Sequence, residues 1–218
     1  MQGAGKILPR RICCDMSARN FFRNAAVGMK SGFLEAPINR VRIIGGIYRS
    51  RWIQFPDTEG LRPTPDRVRE TLFNWLGQNL SGRRCLDLFA GSGALGFEAV
   101  SRGAGAVVMV EKNRAAFLAL QENSKKLACD NLTLRCEDGL EFVRREAERY
   151  DVIFLDPPFQ SDILLKILPL LADRLTAEGM VYVESGEIFE PGAEWQTVKQ
   201  AKAGKVHFQL LQYEGEAA

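Results

Sequence analysis

Between Arg83 and Glu184, five short apolar runs are separated by four longer amphipathic ones, and that alternation leaves few folds open. The runs Cys85–Phe89, Ala106–Glu111, Leu132–Cys136, Val152–Leu155 and Met180–Glu184 read as strands. Ala94–Arg102, Arg114–Leu127, Leu140–Glu148 and Ile163–Leu175 read as helices, the last having to tolerate Pro169. Strands that are apolar at successive positions, rather than at alternate ones, are covered on both faces. Repeated strand–helix units join parallel strands, so the expected fold is a doubly wound α/β domain. An apolar content of 46% over 218 residues is enough for one such core and excludes a disordered chain.

The flanks differ. Trp195–Lys199 and Val206–Tyr213 read as two strands joined through Gly204 with no helix between them. That hairpin should add an antiparallel strand at the edge of the sheet. Upstream, Val41–Ile47 and Arg51–Phe55 form a candidate hairpin across Tyr48–Ser50, and Asp57–Pro63 is a turn-rich link. Thr64 and Pro65 read as N-cap and first residue of a helix whose stripe is Val68, Leu72, Trp75 and Leu76. The expected organisation is an extension over 1–38, hairpin and link over 39–63, and the main domain over 64–218. Met16 and Met29 are alternative starts within the extension.

Charge is unevenly spread. Residues 1–53 hold ten Lys/Arg against Asp15 and Glu35, a net of +8, so the remainder carries −6. A basic front on an acidic body suits contact with a polyanion. Five cysteines (Cys13, Cys14, Cys85, Cys129, Cys136) show no CxxC spacing, and His207 is the only histidine. A zinc site is therefore not expected, and a reducing, cytoplasmic setting is. No apolar run approaches the length of a membrane span, and residues 1–30 lack the apolar stretch of a secretory signal.

Two motifs carry chemistry. Asp87–Gly96 (DLFAGSGALG) ends a strand and opens a helix, with Phe89, Ala90, Gly91 and Gly93 at the turn and Glu111 at the end of the next strand. These letters also fit a dinucleotide fingerprint. Asp87 weighs against it, because a carboxylate there would repel a pyrophosphate and attract a cationic ligand such as S-adenosylmethionine. Glu111, followed by Lys112, suits two ribose hydroxyls. Asp138, before Gly139, is placed to take an adenine amino group or to cap a helix. The second motif, Asp156-Pro157-Pro158-Phe159, follows the fourth strand. Asp156 and a proline carbonyl offer two acceptors to a planar –NH2, and Phe159 offers a flat face for its ring.

Together these motifs resemble those of class I S-adenosylmethionine-dependent methyltransferases that act on amino groups. Arg42–Gly46 (RIIGG) and Arg62–Leu76 (RPTPDRVRETLFNWL) are similar to the bacterial 16S rRNA guanine-N2 methyltransferase family called RsmD. The resemblance spans Val41 to Tyr213. Ser50 departs from it, at a position where relatives are expected to have glycine. It implies a seven-stranded, mostly parallel sheet with an antiparallel last strand. It further implies S-adenosylmethionine as cofactor, bound by Asp87, Phe89, Ala90, Gly91, Gly93, Glu111, Lys112, Asp138, Gly139 and Thr64. The target amine would meet Asp156, Pro157, Pro158 and Phe159. Arg40, Arg42, Arg49, Arg51, Arg62 and Arg67 would contact phosphates of 16S rRNA or of a small-subunit assembly intermediate. Arg67 and Arg69 cannot share one face of a helix, so one of them is structural. A monomer with no membrane contact is expected. Alternatives are a DNA adenine-N6 or cytosine-N4 methyltransferase, a nicotinamide-dependent oxidoreductase, and a non-catalytic RNA-binding protein.

Overall fold

The computed structural model describes residues 38–58, 61–158 and 162–215. Nine strands and five helices follow in chain order: β1 (Ile38–Arg42), β2 (Trp52–Pro56), α1 (Asp66–Leu76), β3 (Arg84–Asp87), α2 (Ala94–Ser101), β4 (Ala106–Val110), α3 (Arg114–Leu127), β5 (Leu132–Arg135), α4 (Gly139–Arg145), β6 (Tyr150–Leu155), α5 (Ile163–Leu171), β7 (Leu175–Ser185), β8 (Trp195–Ala203) and β9 (Val206–Tyr213). Strands β3 to β9 form one sheet in the order β5-β4-β3-β6-β7-β9-β8, and β1 and β2 pair separately. Strands β3 to β7 are mutually parallel, whereas β9 is antiparallel to both β7 and β8. From β3 the chain winds outward to β4 and β5, then crosses back to β6. The carboxyl ends of β3 and β6 therefore flank the crevice in which ligands of open α/β sheets bind.

Alternation along each strand splits the core in two. Cys85, Val152, Phe154, Tyr182 and Leu210 pack in the cluster that holds residues of α1, α2, α3 and the β1–β2 hairpin. Leu86, Ile153, Leu155, Val183 and Leu211 pack in the other, with residues of α4 and α5.

Four expectations need correction. The C-terminal hairpin does not place its antiparallel strand at the edge. β9 lies inside, next to β7, and β8 forms the edge. Phe208–Leu211 is buried at four successive positions, whereas β8 exposes Gln196, Lys199, Gln200 and Lys202, residues that suit an edge. The first strand is shorter at its C-terminal end than Val41–Ile47, because the backbone beyond Arg42 turns to bond α2. There the Ile44 and Gly45 amides donate to the Glu98 carboxylate (2.9 and 2.7 Å), and the Ile47 amide donates to the Ser101 carbonyl (2.7 Å). Helix α5 stops at Leu171, two residues after Pro169, which has no N–H to donate, and a 3-10 turn over Ala172–Arg174 leads into β7. At α1 the N-cap is Pro65, and the Thr64 side chain makes no cap.

The hairpin is locked down by charge. Glu98 is fully buried and also receives the guanidinium groups of Arg69 (3.2 Å) and Arg102 (2.8 Å). Arg69 is itself fully buried and also bonds Asp66 and the Thr64 carbonyl. It is thus the structural member of the Arg67/Arg69 pair, and Arg67 is exposed. Ser50 has φ +68°, a left-handed conformation that explains why glycine is expected there.

Candidate active site

Asp87, at the end of β3, is 1% exposed, and one of its oxygens accepts the amide N–H of Gly96 in α2 (3.1 Å). Burial pushes its carboxyl up to about 7, against the lowering pull of bonds from Gly96 and Phe89. The following turn runs through Gly91 (φ +49°) and Gly93 (φ +81°), conformations that side chains resist. Glu111 closes this turn onto β4. Its Oε2 accepts the Gly91 amide (2.8 Å) and its Oε1 the Asn113 amide (2.6 Å). At the end of β5, Asp138 caps α4 through the Leu140 amide (2.9 Å), and Lys112 lies 3.9 Å from its other oxygen. A Cβ on Gly139 would stand 2.7 Å from the Leu88 carbonyl and 3.4 Å from the Phe89 ring, so that close approach requires glycine. Three successive strand ends thus carry Asp87, Glu111 and Asp138, with Lys112 as the one cation paired to them among the described residues. Such a rim suits a cationic, ribose-bearing ligand and opposes a pyrophosphate.

Across the crevice, Asp156 follows β6 and is half-buried, with Pro157 buried and Pro158 exposed. Phe159 lies outside the described residues. Burial is the main cause holding the Asp156 carboxyl well above the usual carboxylate range, followed by the charges of Glu184 and Asp87. The Thr64 hydroxyl donates to Asp156 Oδ2 (3.4 Å) and opposes that rise. Thr64, grouped with the cofactor residues from the sequence, therefore stands on the Asp156 side.

The sequence reading missed Glu184. It is 2% exposed at the end of β7 and accepts the Tyr182 hydroxyl (2.9 Å), with Thr64 as a second polar neighbour. Burial pushes it up to about 7. The available signal was a carboxylate ending a parallel strand beside the Asp156 strand, on the same face as a tyrosine two residues earlier.

Arg40, Arg42, Arg49, Arg51 and Arg62 are exposed. Arg42 lies 3.5 Å from Asp66, and the Arg40 guanidinium stacks 4.7 Å from the centre of the Trp52 ring.

Residues 41–212 match the family described as "Conserved hypothetical protein 95". The chain belongs to this family. It is 41% identical over 184 residues to ribosomal RNA small subunit methyltransferase D of Escherichia coli K12, covering 81% of this chain and 92% of the relative. The protein of the same description in Haemophilus influenzae is 38% identical over 181 residues, covering 79% and 93%. The solved structure of a putative methyltransferase from Escherichia coli superimposes with a TM-score of 0.74 at 38% identity, over 81% of this chain and 99% of the other. The seven-stranded sheet is that of the class I methyltransferases. Among the described residues, no helix is long and apolar enough to cross a membrane.

Proposed function

We propose that this family member transfers a methyl group from S-adenosylmethionine to the exocyclic N2 amine of one guanine in small-subunit ribosomal RNA. The observation that carries the reading is the pairing of two unlike sites across one crevice. An acidic, glycine-turned rim ends β3 to β5, and an acceptor, Asp156 with its prolines, ends β6. The similarity to ribosomal RNA small subunit methyltransferases supports an RNA substrate, and the Asp-Pro-Pro sequence supports an amine as the acceptor.

When bound, the cofactor supplies an electrophilic methyl carbon on a sulfonium. That carbon would pass to the amine nitrogen, sulfur would keep the electron pair of the broken bond, and the nitrogen would give up one proton. Glu111 would hold the ribose hydroxyls through lone pairs not used by the Gly91 and Asn113 amides. Asp87 faces the positive end of the ligand, and Phe89, Ala90, Gly91, Gly93, Lys112, Asp138 and Gly139 complete the cradle. A guanine N2 lone pair is delocalised into the ring. Accepting its two N–H groups at Asp156 and the Pro157 carbonyl draws the nitrogen out of conjugation. Asp156 or water takes the released proton. Holding nucleophile and methyl in line supplies much of the remaining rate, and the base leaves any stack to enter. Pro158 would border the base, and Phe159 is the residue the sequence offers for stacking on it. Arg40, Arg42, Arg49, Arg51, Arg62 and Arg67 neutralise phosphates around the target.

The test is mass mapping of methylated nucleosides in small-subunit RNA from cells with and without the protein, and with Asp156→Ala. One N2-methylguanine should disappear in both deficient strains, while the purified variant keeps its affinity for S-adenosylmethionine. Loss of a different modified base, or of a DNA methyl group, refutes the assignment.

A further inference from the structure

Asp87, Asp156 and Glu184 leave neighbouring strands toward one side. Cys85, Phe154 and Tyr182, each two residues earlier on its strand, belong to the core cluster on the α1 side, so the carboxylates face that side too. Leu155 pairs with Val183, which puts Asp156 and Glu184 beside each other on strands about 4.8 Å apart. Among the described residues, the groups around the pair come from β3, β7, β9 and the segment before α1. β3 contributes Asp87, and β7 contributes the Tyr182 hydroxyl. β9 sets Phe208 against Glu184. The segment before α1 contributes Thr64, and the Arg69 guanidinium nearby is engaged by Glu98, Asp66 and the Thr64 carbonyl. Among the described residues, Asp156 and Glu184 enter no ion pair.

We propose that Glu184 is a positioning residue that sets the basicity of Asp156, with the Thr64 hydroxyl bonded to Asp156 as the opposing influence. The inference rests on the methyl-transfer reading above and assigns that site an additional member. Two adjacent carboxylates, one buried and one half-buried, resist ionising together when no cation pairs with them, so the charge of one strengthens the other as a base. Tyr182 fixes Glu184 in place and favours its charged form. That charge stands behind Asp156 and makes it a stronger acceptor for amine N–H groups than a lone carboxylate would be. Thr64 acts in the opposite sense, because its donated hydrogen bond favours the Asp156 anion. The directions of the shifts agree: Glu184 raises Asp156 and Thr64 lowers it, while burial is the largest cause at both carboxylates.

Two variants of the full chain, Glu184→Gln and Thr64→Val, test this by opposite signs. The first readout is the carbon-13 titration of the Asp156 carboxyl, assigned by its loss in Asp156→Asn. The second is the acid limb of single-turnover methyl transfer to small-subunit RNA. Glu184→Gln should move both to lower pH, and Thr64→Val should move both to higher pH. A role in folding alone would lower activity and leave the midpoints in place. Tyr182→Phe, which removes one hydroxyl, should shift the midpoints in the same sense as Glu184→Gln and serves if that variant does not fold. Unmoved midpoints, or both variants moving together, overturn the proposal. The titration needs no turnover. Opposite shifts in a protein that methylates no RNA would refute the function and keep the coupling, whereas active protein with fixed midpoints would do the reverse.

Discussion

Replacing Glu98 by alanine should destabilise the fold strongly, because it breaks the buried charge cluster under the β1–β2 hairpin. Glu98 Oε1 accepts from the Gly45 amide (2.7 Å) and from Arg102 Nη2 and Nε (2.8 and 3.0 Å). Its Oε2 accepts from the Ile44 amide (2.9 Å) and Arg69 Nη1 (3.2 Å). Alanine leaves two guanidinium groups, 0% and 5% exposed, without their shared anion. Removing one partner of a buried ion pair costs roughly 3–5 kcal/mol. At about 2–4 °C per kcal/mol for a chain of this size, Tm should fall by roughly 6–20 °C. Urea unfolding followed by circular dichroism, together with calorimetry, measures the loss. Glu98→Gln keeps the shape and one acceptor oxygen, so it should lose less. Hydrogen exchange should rise at the Ile44 and Gly45 amides well before it rises at Val108 in the central sheet. A loss below about 1 kcal/mol would mean that both arginines reach water in the variant, and the network would not be what holds the hairpin.

Glu111→Ala should weaken S-adenosylmethionine binding by about 10- to 100-fold, the value of charge-assisted hydrogen bonds of roughly 1.5–3 kcal/mol, as read by isothermal titration. Normal affinity would remove Glu111 from the cofactor site. Replacing two of Arg40, Arg42, Arg49 and Arg51 should flatten the log–log salt dependence of RNA binding by about 1.4, at roughly 0.7 per phosphate on a single strand, and leave cofactor binding unchanged. Stability of the ligand-free protein should decline as pH rises. Asp87 and Glu184 are raised to about 7 by burial, so the stability they contribute is complete below their unfolded values and is lost as pH passes through 7. Urea midpoints at acidic and alkaline pH should show this decline, and Asp87→Asn should reduce it.

Most of the parallel sheet was legible because its strands are short apolar runs bounded by turns, and α3 matches its sequence reading from Arg114 to Leu127. The order of β8 and β9 was not, since hairpin periodicity says which residues pair but not which strand meets β7. Helix geometry showed that one of Arg67 and Arg69 is structural but not which one, because the partner of Arg69, Glu98, sits 29 residues away on another helix. Glu184 read as the last residue of an apolar strand. Its meaning depends on β7 lying next to β6, which local pattern does not encode. The motifs at Asp87–Gly96 and Asp156–Pro158 were legible because backbone chemistry at a strand end needs particular residues in consecutive positions.

The place of β9 has a consequence for how the chain is made. Synthesis runs from the amino end, so β7 emerges, and its outer row of amides and carbonyls stays unpaired until Val206–Tyr213 follows. β8 emerges earlier than β9 yet cannot join the sheet before it, because β9 is its only neighbour there. Until β9 arrives, the nascent chain offers an open, apolar edge of the kind that pairs with other chains. A ribosome that stops before Val206 therefore does not release a slightly trimmed enzyme. It releases a sheet missing an interior strand, with Phe208, Leu210 and Leu211 absent from both halves of the core.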